Sequence, residues 1–113
     1  MSARAGIIAA LTLAGAARAE IPDADRLAAN QDGGARFEQR CAVCHAAGGM
    51  GANVLAARLG PGRSLLAERT DLTAPYVLYV VRNGLNAMPR LSRVEVTDPE
   101  LKAIAAYLTR SRK

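Results

Sequence analysis

Cys41-Ala42-Val43-Cys44-His45 is the stretch on which the reading of this chain turns. Two thiols three positions apart, with a histidine directly after the second, form the C-x-x-C-H pattern of covalent haem attachment. The thiols add across the two vinyl groups of a haem to give thioethers, and the adjacent imidazole falls beneath the iron as its proximal ligand. Two other chemistries share the residues. A C-x-x-C pair also serves as a redox dithiol, in an architecture that places it after a strand in a βαβ unit. Cys41, Cys44 and His45 also offer three ligands to zinc. That is one short of a closed tetrahedral site, and two of the three are awkward neighbours around one ion.

Working back from the motif, the pattern is helical from Ala35. Phe37 and Cys41 lie four apart and share a face, with Gly33 four before Phe37. The spacing predicts a helix over about 34–44 that carries both cysteines at its end. Gly33-Gly34 separates it from an acidic, loosely ordered leader over 20–32. At the start of the chain, Arg4, an apolar run from Gly6 to Ala17 and the small-x-small triplet Ala17-Arg18-Ala19 make a secretory signal peptide. The run is too short for a membrane span. Cleavage after Ala19 removes 19 of 113 residues and leaves a single 94-residue domain over 20–113.

Working forward, residues 46–53 read as a Gly-rich loop that wraps a flat ligand edge and aims a backbone carbonyl at the second nitrogen of His45. It lacks the Lys-Ser/Thr ending of a phosphate-binding loop. Gly60-Pro61-Gly62 is a turn, and Ser64 to Arg69 suits a short helix. Thr73 and Pro75 open the next helix, Tyr76, Val77, Val80 and Val81 give it an apolar face, and Asn83-Gly84 ends it. The β-branched run is compatible with a strand, but the caps at both ends favour helix. Residues 85–96 have no clean period and contain Met88-Pro89. Thr97-Asp98-Pro99-Glu100 starts a last helix whose apolar stripe is Leu101, Ile104, Ala105 and Leu108. No internal repeat and no convincing strand is found.

Composition supports the haem reading. The chain has one Phe, three Tyr and no Trp, so it offers no large aromatic nucleus to pack around. Small folds of this kind lean on a metal or cofactor. The absent strand weakens the dithiol, and a disulfide within one C-x-x-C would staple nothing distant together. His45 is the only histidine, so a sixth iron ligand is sought among the methionines. Met1 is lost with the signal, and Met50 follows His45 by only five residues. Met88 lies 43 residues beyond His45, far enough to reach the other face of a haem. Histidine with methionine saturates the iron, which favours electron transfer over oxygen chemistry. Of 15 Lys and Arg, removal of Arg4 and Arg18 leaves 13 against 10 acidic residues, net +3. The acids crowd residues 20–38 and the arginines follow, among them Arg58, a candidate for a haem propionate or an ordinary surface residue. A basic middle suits an acidic protein partner reached by electrostatic steering. Scattered arginines without interleaved aromatics do not suit nucleic acid.

The chain resembles the small class I c-type cytochromes, and in particular the cytochrome subunits of periplasmic flavoenzymes such as p-cresol methylhydroxylase. The resemblance covers the whole mature chain. It is carried by Gly33-x-x-x-Phe37-x-x-x-Cys41 leading into the haem motif, by Tyr76 to Gly84 followed by Ala87-Met88-Pro89, and by Leu101 to Leu108. It implies an all-α fold of four to five short helices around one covalent haem c, with the last helix crossing the first at Gly33, Phe37 and Tyr107. It implies Cys41 and Cys44 as thioether anchors, with His45 and Met88 as iron ligands. Such cytochromes carry Gly-Pro soon after the haem histidine, whereas here Gly51-Ala52 stands at that place and Gly60-Pro61 comes later. Ala52 is therefore expected, ahead of Pro61, to present the carbonyl to His45. The implied role is a periplasmic electron carrier, not an enzyme, between a dehydrogenase and a downstream acceptor, with no stable membrane insertion. The alternatives are an obligate subunit of a flavin- or quinone-dependent dehydrogenase, or a secreted thiol–disulfide protein.

Overall fold

The computed structural model describes residues 32–111. The expected signal segment, and all of the acidic leader except Asp32, lie outside them. Five α-helices follow in order: α1 (Gly33–Arg40), α2 (Ala42–His45), α3 (Met50–Leu59), α4 (Ala74–Asn83) and α5 (Asp98–Leu108). Two single 3-10 turns, Pro61–Arg63 and Leu66–Glu68, link α3 to α4. Among the described residues there is no strand, only an isolated bridge between Leu85 and Met88. The expected all-α class holds.

The helix signals in the second half of the sequence act as expected. The Thr73 hydroxyl accepts from the Tyr76 N–H at the start of α4, and Pro75 sits in its first turn. Gly84 closes α4 with a φ of 77°, in the left-handed region that glycine tolerates. α5 opens on a full capping box: Thr97 accepts from the Glu100 N–H, and the Glu100 carboxylate accepts from the Thr97 N–H at 2.9 Å. The apolar faces of these two helices meet that of α1. Phe37, Val77, Val81, Val96, Leu101, Ile104, Ala105 and Leu108 form one buried cluster.

The first half departs from expectation in three places. The expected continuous helix over 34–44 is bent at Cys41, whose φ of −124° leaves the helical region. The Cys41 N–H still reaches the Phe37 carbonyl, and the Cys44 and His45 N–H groups both return to the Cys41 carbonyl. The expected loop over 46–53 ends early, because Gly48 turns the chain at a φ of 83° and α3 begins at Met50. Its alanines and leucines are strong helix formers and outweigh a single Gly51. The expected helix over Ser64–Arg69 shrinks to the 3-10 turn Leu66–Glu68, with Asp71 held from outside by Arg63 and Arg69.

The crossing of α1 over α5 sets the frame. A Cβ added at Gly33 would lie 2.1 Å from the Ala103 carbonyl oxygen, so the two backbones touch. One turn on, the Phe37 and Tyr107 rings meet at 5.9 Å between centroids. The resemblance implied this grouping of Gly33, Phe37 and Tyr107. Glu100, only 6% exposed, closes the other side, with Arg40 at 3.1 Å and Arg36 at 3.5 Å. The Thr97 N–H and then Arg40 hold its carboxyl below the ordinary carboxylate range, against the opposing effect of burial.

Two stability experiments follow from this crossing. Gly33→Ala forces the helices apart and is expected to cost about 1–3 kcal/mol, seen as a lower Tm of the holoprotein. Glu100→Gln keeps the cap acceptor but removes the charge, and is expected to cost about 1–2 kcal/mol at neutral pH, since both arginines are partly solvated. Because folding lowers the carboxyl pKa, this stabilisation is present above the ordinary carboxylate range and is lost as pH falls through the folded value. The gap in Tm between wild type and variant should therefore close in acid. A gap that persists there would show that the charge is not its source.

Candidate functional site

The site is built from two short segments. The first is the bend and single helical turn over 41–45. Its two cysteines are free thiols, half-buried at the end of α1. Burial pushes the Cys41 thiol up to about 11, with Arg40 pulling weakly the other way. Such a thiol stays protonated at neutral pH, whereas reactive dithiols work through a depressed thiol pKa. Burial also lowers the pKa of His45, which favours the neutral imidazole, the form that ligates a metal.

The His45 ring rests against the first turn of α3. A Cβ at Gly51 would stand 3.1 Å from Cε1 and 3.2 Å from Nδ1 of His45. It would also stand 2.8 Å from the Cys44 carbonyl oxygen, so a glycine is what lets α3 pass this close. The expected carbonyl from Ala52 does not reach Nδ1, which is buried and has no hydrogen-bond partner among the described residues. The reason is α3 itself. Ala52 is buried inside it, where carbonyls point along the helix axis and not sideways at a ring. The Pro61 carbonyl is also engaged, accepting from the Ser64 hydroxyl at 2.8 Å.

The second segment is the turn over 85–88. The Leu85 N–H donates to the Met88 carbonyl at 3.0 Å, and the Met88 N–H donates back to Leu85 at 2.9 Å. Asn86, at a φ of 52°, makes the turn possible, and Asn is among the few non-glycine residues that tolerate it. Pro89 follows without an N–H to satisfy. Gly84 again permits close approach, since a Cβ there would lie 2.9 Å from the Met88 carbonyl oxygen.

Cys41, Cys44, His45 and Met88 all line one cavity of about 290 Å³. Its walls are otherwise largely apolar, with Val54, Leu55, Val81, Leu91 and Ile104 among them. It adjoins a second space of about 110 Å³ that shares Cys41, His45, Val81 and Met88 and reaches Leu66, Leu72 and Tyr76. Two thiols, an imidazole, a thioether and apolar walls fit a flat, largely apolar macrocycle held covalently around an iron. The zinc reading gains nothing, because no group of three or more His, Cys, Asp or Glu gathers around a point among the described residues. Arg58 is exposed, lines the larger cavity and makes no ion pair among the described residues. Sequence reasoning placed Gly51 beside Ala52 at the site of the family's Gly-Pro, but did not foresee that its missing side chain is what lets α3 pass against the His45 ring. It also missed Arg69, which lines the inner space while its guanidinium grips Asp71 through two bonds of 2.8 Å.

The likeness to known proteins agrees with this geometry. The family described as cytochrome c oxidase, cbb3-type, subunit III, matches residues 28–108. Cytochrome c6 of Thermosynechococcus vestitus is 34% identical over 83 residues, covering 73% of this chain and 70% of that protein. Cytochrome c6 of Synechococcus sp. is 32% identical over 77 residues, covering 68% of this chain and 65% of that protein. Cytochrome c6 of Synechococcus elongatus is 32% identical over 72 residues, covering 64% and 78%. No solved structure matches significantly. A family match across nearly the whole described chain, joined by a third of identical residues with cytochromes c6, makes this protein a member of the class I c-type cytochromes, electron-transfer proteins with one covalently bound haem c.

Proposed function

We propose that this protein is a periplasmic one-electron carrier in which Cys41 and Cys44 hold the haem and His45 and Met88 ligate its iron. The observation that carries the reading is the convergence of both thiols, the imidazole and the Met88 thioether on one apolar cavity. The bound haem supplies a single-electron couple between ferric and ferrous iron. The chain does the rest. Val54, Leu55, Val81 and Leu91 exclude water from the iron, and the Met88 sulfur, a soft donor, favours the reduced state. Arg58, exposed on the same cavity, is assigned to a haem propionate.

Residues 1–19 are assigned to export and 20–113 to the mature domain. The donor is proposed to be a periplasmic flavin or quinone dehydrogenase with an acidic docking face. The net +3 expected of the mature chain supports it. So does the cavity mouth, where Val43 is 83% and Met50 65% exposed and both line the cavity. Exposed apolar side chains beside a redox centre suit a docking face. The description of the matching family as an oxidase subunit favours a second reading, a fixed subunit of an oxidoreductase. Gentle size-exclusion of the native protein separates the two: a lone small peak supports the carrier, and co-elution with a dehydrogenase supports the subunit.

The ligand assignment is tested with Met88→Ala in the holoprotein. The variant is expected to bind cyanide in its ferric form and carbon monoxide in its ferrous form, both of which wild type resists. Its reduction potential is expected to fall with loss of the thioether. Reactivity equal to wild type would assign the distal ligand elsewhere.

A further inference from the structure

The segment over 84–97 carries Met88, and several of its hydrogen bonds turn inward. Leu85 and Met88 bond each other. The Ser92 N–H donates to the Glu95 carboxylate at 2.7 Å, and the Val96 N–H donates to the Ser92 carbonyl at 3.1 Å. Beyond the Gly84 N–H, which closes α4 on the Val80 carbonyl, two hydrogen-bonding groups among the described residues tie this segment back to α4. One is the Leu91 N–H, which donates to the Val81 carbonyl at 2.8 Å. The other is the side chain of Arg82.

Arg82 stands in the last turn of α4, where a cation suits the helix end, with only 17% of its side chain exposed. Its Nη1 donates to the carbonyls of Leu91 and Ser92, each at 3.1 Å. Its Nη2 donates to the Val96 carbonyl and to the Asp98 carboxylate, each at 2.8 Å. Asp98 is the first residue of α5, so one guanidinium spans the segment from the helix before it to the helix after it. The other Asp98 oxygen takes the Arg93 Nε at 2.7 Å, which adds a second bond from within the segment. A planar fork with several fixed donors can serve four acceptors at once; an ammonium acts from a single point.

We infer that Arg82 is the positioning residue of the Met88 loop, its guanidinium closing the loop's base so that the Met88 sulfur stays at the cavity. The inference rests on the reading of Met88 as distal ligand. A ligand on a loop leaves the iron when the loop lifts, and lifting this one must first break the Arg82 bonds to three carbonyl groups, two of them partly buried. The clamp thus sets how often the sixth position opens. Arg82 itself does not line the cavity, and its effect passes through the backbone of 91–98.

The test uses ferric holoprotein, with cyanide as the probe of an open sixth position. Arg82→Gln is expected to bind cyanide about tenfold to a hundredfold faster than wild type, the range that losing charge-assisted bonds supports. The Soret band and the helical circular dichroism should persist, and the methionine-to-iron charge-transfer band should weaken. Arg82→Lys should fall between the two proteins, and it carries the same test if Arg82→Gln fails to fold. Asp32→Ala, which removes the side-chain cap at the far end of α1, should lower Tm without changing the cyanide rate, which separates positioning from general destabilisation. Wild-type cyanide kinetics in a folded Arg82 variant would overturn the inference. If Met88→Ala leaves cyanide binding unchanged, the ligand assignment falls and the clamp with it. If only the Arg82 variants leave it unchanged, the ligand assignment stands.

Discussion

Everything in this fold hangs from a backbone-to-backbone contact. Gly33 lies against the Ala103 carbonyl with no room for a methyl group, so α1 and α5 are held at one angle and one depth. α1 runs directly into Cys41 without an intervening loop, so its direction sets where both thiols and the imidazole stand. α5 begins at Asp98, so its direction sets the far anchor of the segment that carries Met88. One crossing therefore fixes two of the cavity's walls relative to each other. Glu100 guards it from beneath, because moving α5 would strip a buried carboxylate of Arg40 and Arg36.

The parts of the fold that could be read in the sequence are those governed by local chemistry. Thr73, Pro75 and Gly84 bound α4, and Thr97, Pro99 and Glu100 open α5, because caps act within a few residues. The C-x-x-C-H motif was legible for the same reason. The bend at Cys41 was not, since Phe37 and Cys41 fit a continuous helix equally well. Nor was the start of α3, where Gly48, Gly49 and Gly51 hide a helix that alanine content sustains. The carbonyl assigned to Ala52 failed with it, because a residue inside a helix has no free carbonyl to aim sideways. Asp32 was read as leader, but its side chain accepts from the Gly34 N–H and caps α1. The partners of Arg82 and the two arginines on Glu100 were beyond reach, because each is chosen by tertiary placement and not by spacing.

The electrostatics of the site match its chemistry. A secreted dithiol catalyst needs a thiol that ionises readily, set beside cations or a helix N-terminus. Here Cys41 is protonated by burial even though Arg40 stands next to it. Arg40 is instead committed to Glu100, and Arg69 to Asp71, so charges near the cavity are paired before any ligand is considered. Arg58 is the exception among the arginines that line the larger cavity, which is why it is the one assigned to an external anion.

The ion pair of Arg36 with Glu100 joins residues 64 positions apart, close to the whole span of the described chain. Contacts of such long sequence separation form late, because the intervening chain must lose its freedom before they return anything. The segment so enclosed contains the haem motif, α3, α4 and the methionine loop. None of these closes a core alone, for the buried cluster draws on α1, α4 and α5 together. The core of this domain is therefore complete only when both ends of the described residues meet. The cavity's walls are completed with it, not added as a site to a finished scaffold.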